Sequence, residues 1–570
     1  GATVAEAAAV AASVLVATGI AGAFLLQTIG SGPARRRTRG ARPAPAGPPE
    51  GAAASDSWET AVDESTNDTA WPHLDAPAAV VAGRSFQIQV GLSETPDPAL
   101  YGTGKLAVPP GDFELGVELI VDGFAIADER TFTLEVTAED RYPKRSITLT
   151  ALAGPEFAER RRVGVVFRVG REIRGYAGRD VTVKGTEAEL RTVAAAPGAH
   201  YGAFDISEFT APEAADITIV IQLGDASDGS RLVWTVASPH VDVVLPERTV
   251  GTPLRSSAEQ FLRELVDEAS VTDDILDLFA SLKGRGKADI APLMPAFVRD
   301  ALRDVAGKLA PRRPTVLLLS EEPYIPWELA VLDPPLPGWP KDGSPFLGAQ
   351  AIIGRWVLAA EPPPSLDPPK HVNVWNEVVV TGEYTGVPDW ERLESAEREA
   401  AELRQRWPTA FPVEASLPAV LRCLNGDPGA DIIHFALHGL FSTEDSRQGL
   451  VLIKVIGDEK SPVYLKPSHV ASGALSRSPL VFLNACQVGA GRHVLANYSG
   501  MAGGFVRVGA SAVIAPLWNI DDEIASQLAL NFYEQVLDNR QAPAEVLRAY
   551  RAGVTPAAIA AGAAAASGTH

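Results

Sequence analysis

Three apolar stretches decide the fold of this 570-residue chain: ADIIHFALHG (430–439), PLVFLNACQVG (479–489) and SAVIAPLWNIDD (511–522). Each contains a short run of large apolar residues, which is typical of a strand that is buried on both faces of a sheet. Amphipathic helical patterns lie between or after such runs, for example at 394–407. Strands that alternate with helices indicate an α/β domain with a largely parallel sheet, which we predict over residues 256–550.

The ends of these three stretches carry the side chains that can perform chemistry. The first ends in His438-Gly439, the second in Cys486, and the third in Asp521-Asp522. In open parallel sheets, ligands bind beyond the carboxyl ends of the strands, so these residues are expected to meet at one edge. A thiol with an ordinary pKa near 8.5 needs a base to become a nucleophile, and we predict that His438 activates Cys486. The backbone amides of Gly439 and Cys486 are expected to face the developing oxyanion.

The same segments resemble the CHAT domain, a family of caspase-like, separase-related cysteine peptidases of clan CD. The resemblance rests on the His-Gly pair at 438–439, on NACQVG at 484–489, on a strand that ends in Leu-Trp, and on the Asp pair that precedes a helix with Phe-Tyr. It covers roughly residues 256–550. It implies a caspase-like fold and a His438–Cys486 catalytic dyad in a cysteine endopeptidase that cleaves a partner protein. A role in bacterial stress, defence or regulated cell death is also implied. Many members carry tetratricopeptide repeats, which this sequence lacks, so the partners of those members are not transferred.

Four residues beside the dyad are candidate substrate contacts: Asp521, Asp522, Asn484 and Gln487. An Asp at the start of a helix also serves as an N-cap and interacts favourably with the helix dipole. By analogy with several clan CD peptidases, an Asp that lined the S1 pocket would favour Arg or Lys at P1. For Asn484 and Gln487, packing is an equally good interpretation.

Alternative roles exist for the reactive side chains. Cys486 could be an inert buried thiol, and packing is the preferred interpretation of Cys423 in its helical context. A zinc site made of His434, His438 and Cys486 would lack an evident fourth ligand, so no metal is predicted. The glycines after Cys486 do not form a phosphate-binding loop, because GxxxxGK[ST] is absent. We therefore predict no cofactor.

The first 77 residues have a different composition. Residues 7–26 form an uncharged apolar run that is followed by five arginines between 35 and 42. Within a predicted Ala-rich helix over 1–31, this run is either a single membrane span, with the rest of the chain on the cytoplasmic side, or a soluble docking helix. Residues 32–77, rich in Pro, Ala and Gly, are predicted to be a linker. We expect a cytoplasmic protein, which the first interpretation would anchor to the cytoplasmic face of the membrane.

Residues 78–250 alternate apolar and polar side chains in short runs separated by turn residues, for example TFTLEVTA (131–138). This pattern is typical of β-sandwich domains, so we predict a β-sandwich-like region there and an interaction role that includes a regulatory protein partner. The Ala-rich residues 551–570 are predicted to be a disordered tail.

The overall composition excludes several classes of protein. With 46% hydrophobic and 21% charged residues, the chain can bury cores and is not wholly disordered. A net charge of −21 disfavours nucleic acid as a partner. Two cysteines in 570 residues exclude a disulfide scaffold. The competing functional hypotheses are a non-proteolytic caspase-like scaffold and another thiol-dependent acyl transfer, such as an amidase or ligase reaction.

Overall fold

The computed structural model describes residues 24–28, 68–97, 99–102, 106–190, 215–225, 231–269, 274–322, 324–357, 374–440, 449–486, 501–502, 504–505, 508–516 and 522–567. The first of these segments is strand β1 (Phe24–Thr28).

The N-terminal part of the described chain is rich in strands, as the alternating pattern predicts. Its elements are β2 (Asp68–Asp75), β3 (Ala79–Val81), β4 (Ser85–Ser93), β5 (Tyr101–Gly102), β6 (Leu106–Val108), β7 (Phe113–Val121), β8 (Phe124–Ile126), β9 (Thr131–Val136), β10 (Lys144–Ala151), β11 (Arg160–Val169), β12 (Glu172–Lys184) and the short helix α1 (Glu187–Leu190). They form a five-stranded sheet in the order β6-β2-β4-β10-β8, and a six-stranded sheet in the order β3-β12-β11-β7-β9 with β5 beside β12. Val90 and Leu149 of the first sheet and Leu119 and Val165 of the second lie in one shared hydrophobic core.

The remaining strands build a thirteen-stranded mixed sheet together with β1. They are β13 (Ile217–Leu223), β14 (Arg231–Ala237), β15 (Gly251–Pro253), β16 (Thr315–Ser320), β17 (Ile352–Val357), β18 (Glu377–Thr381), β19 (Ala410–Glu414), β20 (Ile432–Leu440), β21 (Gly449–Ile456), β22 (Glu459–Leu465), β23 (Leu480–Cys486) and β24 (Ala512–Pro516). The order is β15-β14-β13-β16-β17-β1-β24-β23-β20-β18-β19, and the hairpin β21–β22 branches from the end of β20.

The mixed sheet consists of two parallel blocks. One block is β13-β16-β17, and the other is β24-β23-β20-β18-β19. Strand β1 is parallel to β17 but antiparallel to β24, so the two blocks run in opposite directions. The carboxyl ends of β20, β23 and β24 therefore meet at one edge, while those of β16 and β17 lie at the opposite edge.

Helices cover the mixed sheet. They are α2 (Ala258–Ala269), α3 (Ile275–Arg285), α4 (Ala296–Leu309), α5 (Leu347–Gln350), α6 (Glu394–Arg406), α7 (Leu417–Leu424), α8 (Pro467–Ala471), α9 (Asp522–Tyr533), α10 (Pro543–Ala552) and α11 (Pro556–Ser567), with π-helical turns at Gly286–Ile290 and Glu534–Asp538 and 3-10 turns at Ala291–Leu293 and Trp327–Leu329. α3 begins at its N-cap Asp274, whose carboxylate accepts bonds from the amides of Leu276 and Asp277. At the β20–β23 end of the sheet, Ala400 and Leu403 of α6 and Leu528 of α9 pack in the core beneath the strands.

The six-stranded sheet packs its second face against the mixed sheet. Ile120 and Tyr176 of the former share a core with Val220 and Leu319 of the latter. A buried charge cluster crosses the same contact: Glu118 accepts a hydrogen bond from Arg130 at 2.6 Å and from the Thr235 hydroxyl at 2.7 Å, and it also pairs with Arg168. The N-terminal sheets are therefore joined to the mixed sheet by an apolar contact and by buried ion pairs.

The structure corrects the predicted boundary between residues 78–250 and 256–550. Strands β13 and β14, which the alternating pattern assigns to the sandwich-like region, belong to the mixed sheet. The physical reason is that both faces of β13 are covered: Ile217, Ile219 and Ile221 pack on helices, and Val220 packs on the six-stranded sheet. Short apolar strands look alike in sequence whichever sheet they join.

Three other predicted segments also differ. The linker predicted over 32–77 ends before β2, which begins at Asp68. Within 1–31, the described residues 24–28 form a strand rather than part of a helix, because they pair with β17 and β24; the other residues of that segment lie outside the described chain. The tail predicted over 551–570 contains the helix α11, in which Ile559 is buried and the alanines favour helix formation.

Among the described residues, no helix combines the length and apolarity that a membrane span requires.

We predict that Glu118→Ala strongly destabilises the protein. The substitution leaves the buried guanidinium of Arg130, which is 2% exposed, without its carboxylate, and breaking a buried pair typically costs about 3–5 kcal/mol. The measurement is the shift of the urea denaturation midpoint. Asp242→Ala is the matched control, since it removes the carboxylate of the Arg171–Asp242 pair, whose side chains are 48% and 77% exposed. Equal shifts for the two variants would contradict the prediction.

Candidate functional site

The sheet register brings the predicted dyad together. β20 and β23 are adjacent parallel strands, and His438 is the Cα partner of Cys486 in that pair. Neighbouring strands lie about 4.8 Å apart, so the two backbones are as close as sheet geometry permits. Both residues are at the carboxyl ends of their strands, next to the end of β24. The side chain of Cys486 lies outside the described atoms.

Only one neutral tautomer of His438 satisfies its hydrogen bond. The side chain is fully buried, and its Nε2 lies 2.7 Å from the carbonyl oxygen of Glu391. A carbonyl only accepts hydrogen bonds, so Nε2 must carry the proton and, in the neutral ring, Nδ1 has the free lone pair. Nδ1 is buried and has no hydrogen-bond partner among the described residues. Burial lowers the pKa of His438, and the bond to the Glu391 carbonyl opposes this shift more weakly. A neutral ring with a free Nδ1 can act as a base.

A single loop between β18 and α6 surrounds His438. The rings of Tyr384 and Trp390 lie 4.6 Å and 4.9 Å from the imidazole, centroid to centroid. The backbone amide of His438 donates to the Tyr384 hydroxyl at 3.3 Å, and that hydroxyl donates to the carbonyl of Val451 in β21 at 2.7 Å. Burial raises the pKa of Tyr384, so the hydroxyl keeps its proton. The same loop therefore holds the ring and the backbone of His438.

A second buried polar cluster lies beneath the dyad. His434, four residues before His438 on β20, contacts the Tyr533 hydroxyl through Nδ1 at 3.0 Å and Glu399 through Nε2 at 2.5 Å. Asn484 donates from Nδ2 to both oxygens of Glu399, at 3.0 Å and 2.9 Å. Burial raises the pKa of Tyr533, so its hydroxyl also stays protonated. Residues two apart on a strand share a face, which puts this cluster on the same face of the sheet as His438.

These contacts bear on two of the residues discussed above. Asn484 is buried and donates to Glu399, which supports the packing alternative, and its role as a substrate contact stays a prediction. Both ring nitrogens of His434 are already bonded to protein groups, so it is not placed to complete a zinc site with His438 and Cys486.

The structure describes some of the other residues discussed above and leaves others out. Gln487 and Asp521 lie outside the described residues, and of Asp522 only the backbone is described, as the first residue of α9. Gly439 follows His438 within β20, and its Cα partner in β21 is Leu450. Cys423 is buried in α7, and burial raises the pKa of its thiol to about 11, as expected for an inert packing residue.

Sequence reasoning missed Tyr384, Trp390, Glu391 and Glu399. Glu399 could have been identified from the sequence, because it falls on the apolar face of α6 that Ala396, Ala400 and Leu403 define. A carboxylate at such a position must have a buried partner. The loop residues have no such signal, since their spacing follows neither the helical nor the strand period.

We predict that Glu399→Ala destabilises the protein by about 3–5 kcal/mol, because it leaves the buried polar groups of His434 and Asn484 unpaired. Chemical denaturation measures the effect. The matched control is Glu397→Ala on the same helix, which removes an ion pair with the half-exposed Arg392 and should cost within about 1 kcal/mol. A Glu399 variant as stable as the Glu397 variant would show that the buried cluster carries little of the stability.

Residues 360–559, roughly a third of the chain, match the model of a protein family described as "CHAT domain". No curated protein matches the chain. Matching solved structures include a superoxide reductase (neelaredoxin) from Ignicoccus hospitalis, 17% identical with a TM-score of 0.13, covering 21% of this chain and 84% of that one. They also include the alkylpurine DNA glycosylase AlkC of Pseudomonas fluorescens bound to DNA, 14% identical with a TM-score of 0.12, covering 20% of this chain and 31% of that one. Superpositions this poor establish neither a common fold nor a common function.

Proposed function

Residues 360–559 belong to the CHAT domain family, and on that premise we propose that the protein is a cysteine endopeptidase with Cys486 as nucleophile and His438 as base. The single observation that carries the proposal is the pairing of His438 with Cys486 in the β20–β23 register, with the Nε2 proton of His438 committed to the Glu391 carbonyl. The family is associated with a caspase-like fold and peptidase chemistry, and we extend both to this chain.

The proposed reaction begins at Nδ1 of His438. Nδ1 takes the proton of the Cys486 thiol, and the thiolate attacks the carbonyl carbon of the scissile peptide bond. The backbone amides of Gly439 and Cys486 donate to the oxyanion of the tetrahedral intermediate. The imidazolium returns its proton to the leaving amine, which gives an acyl-enzyme, and water activated by Nδ1 then releases the acid and regenerates the thiol.

Two properties of His438 support this role. Burial keeps its pKa low, so the ring stays neutral and able to accept a proton to a lower pH than an exposed histidine would. Its second nitrogen is bonded to a backbone carbonyl, an orienting group that cannot itself take the proton. The dyad therefore needs no acidic third member to fix its tautomer.

We propose a partner protein as the substrate, cleaved at a limited number of sites, in a bacterial stress or defence pathway. The N-terminal sheets are the proposed contact for a regulatory protein. They adjoin the mixed sheet through the core that contains Ile120 and Leu319, so a protein bound there would be linked mechanically to the sheet that carries the dyad.

The first test is the alkylation rate of Cys486 against pH, read by mass spectrometry, with Cys423 as an internal reference. We expect Cys486 to react with an apparent pKa below the ordinary 8.5 of a thiol, and His438→Ala to slow alkylation at pH 7 by on the order of tenfold. Cys423, with a pKa of about 11, should barely react.

The outcomes separate the two classes of function. Cys486 that reacts as slowly as Cys423, with no change in His438→Ala, would contradict the peptidase and favour a non-proteolytic scaffold. A reactive Cys486 whose product masses show amide exchange or ligation rather than hydrolysis would favour a different acyl transfer.

We further propose that Asp521 or Asp522 lines the S1 pocket and selects Arg or Lys at P1. Asp521→Ala or Asp522→Ala should then lower kcat/KM for a peptide with basic P1 by on the order of tenfold relative to one with neutral P1, since the carboxylate no longer pairs with the cation. A peptide library profiles both variants. Unchanged P1 preference in both variants would contradict this proposal.

A further inference from the structure

One loop makes four contacts to His438. The loop contributes the ring contacts of Tyr384 and Trp390, the Tyr384 hydroxyl that accepts the His438 amide proton, and the Glu391 carbonyl that accepts from Nε2. His438 is also the register partner of Cys486 on β23. The orientation of the base thus depends on the conformation of residues 382–393.

That loop is itself fixed at its start and in its middle. Lys460 of β22 pairs with the carboxylate of Glu383 and donates to the carbonyls of Glu383 and Thr385, at 3.2 Å and 3.0 Å. Two turns follow, in which the amide of Val387 donates to the carbonyl of Tyr384 and the amide of Trp390 donates to that of Val387. The loop is therefore a folded structure that can hold a side chain in place.

One hydrogen bond does not fix an imidazole ring. The Nε2 bond to Glu391 still allows the ring to tilt about that contact, and a tilt would change the direction of Nδ1. Tyr384 meets the ring edge-on at 64° and Trp390 meets it at 44°, so aromatic rings block rotation from two directions. Both aromatic residues are themselves buried in the core of the sheet.

We propose that Tyr384 and Trp390 are positioning residues of the catalytic dyad, which hold His438 in the tautomer and orientation that direct Nδ1 toward Cys486. This inference rests on the proposed function. Tyr384 acts through both its ring and its hydroxyl, which joins the ends of β20 and β21 by accepting from His438 and donating to Val451. Trp390 acts by packing and by excluding water.

The packing around His438 should determine how the alkylation rate of Cys486 depends on pH. Among the described side chains, the titratable groups in contact with His438 are Tyr384, which stays protonated, and Glu391, whose carbonyl and charge favour the imidazolium. Desolvation outweighs the effect of Glu391 and keeps the His438 pKa low. Removing Trp390 would let water reach the ring, so the pKa of His438 should rise toward its ordinary value and the ring should become protonated at a higher pH.

The experiment is the pH profile of Cys486 alkylation in Trp390→Ala, Trp390→Phe and Tyr384→Phe. In Trp390→Ala we expect a rate at pH 7 lower by on the order of tenfold and an acid limb displaced to higher pH. Trp390→Phe keeps an aromatic ring and should recover most of the rate. Tyr384→Phe keeps the ring but removes the bridge between His438 and Val451, so we expect a smaller loss with little displacement of the acid limb.

Matched substitutions control for general effects on the fold. Trp375→Ala removes a tryptophan that is 41% exposed at the opposite end of the same sheet, and Tyr550→Phe removes a hydroxyl that bonds Asn531. Both should leave the Cys486 profile unchanged. Circular dichroism and the urea midpoint of each variant show whether it is folded. If Trp390→Ala unfolds, Trp390→Leu replaces it, because it removes the aromatic ring but keeps a large apolar side chain in the core.

The outcomes distinguish this inference from the function on which it rests. If His438→Ala slows Cys486 but folded Trp390→Ala, Trp390→Phe and Tyr384→Phe all behave as wild type, the positioning role is wrong and the dyad stands. If His438→Ala alone leaves the alkylation rate of Cys486 unchanged, the proposed function itself fails. A lower rate in Trp390→Ala without any displacement of the acid limb would reduce Trp390 to a purely structural role and overturn the inference for that residue.

Discussion

The bond from Nε2 of His438 to the Glu391 carbonyl is the interaction on which the site depends. It decides which nitrogen carries the proton, and therefore which nitrogen can accept one. Its partner is a backbone atom, so its position is set by the path of the loop between β18 and α6 rather than by a side-chain rotamer. The sheet brings His438 and Cys486 to adjacent positions, and in the proposed mechanism the loop orients the base.

The two histidines of β20 show how surroundings assign different roles to identical side chains on one face of a strand. His434 is bonded to a carboxylate and a hydroxyl, both fully buried, and serves the packing of α6 and α9 against the sheet. His438 is bonded to a carbonyl and keeps one free nitrogen. Both ring nitrogens of His434 are already hydrogen-bonded, so among these two histidines only His438 has a nitrogen available to accept a proton.

The sequence predicted the parts of the site that follow from strand periodicity. The apolar runs that end at His438 and Cys486 become β20 and β23, and adjacent parallel strands bring their ends together. Tyr384, Trp390 and Glu391 could not be predicted, since their contribution depends on two irregular turns and, for Glu391, on a backbone atom common to every residue type. For Asn484 the sequence left two interpretations open, for a related reason. Its position beside the nucleophile is visible in sequence, but the carboxylate that it bonds comes from α6, eighty-five residues earlier.

The boundaries between regions were harder to predict than the elements themselves, because they depend on contacts between segments that are distant in sequence. Helix α6 (Glu394–Arg406) has nearly the bounds of the pattern at 394–407, because periodicity is local. Which sheet a strand joins depends on what covers each of its faces, and β13 is covered by helices on one face and by the six-stranded sheet on the other. The attachment of the N-terminal sheets to the mixed sheet also bears on the proposed regulation. Since the core around Ile120 and Leu319 and the ion pairs of Glu118 bind the N-terminal sheets to β13, β14 and β16, a force applied to those sheets acts on the mixed sheet directly. In the proposed function, a regulatory protein bound to the N-terminal sheets would therefore act on the dyad through this packed contact, rather than by moving a tethered domain.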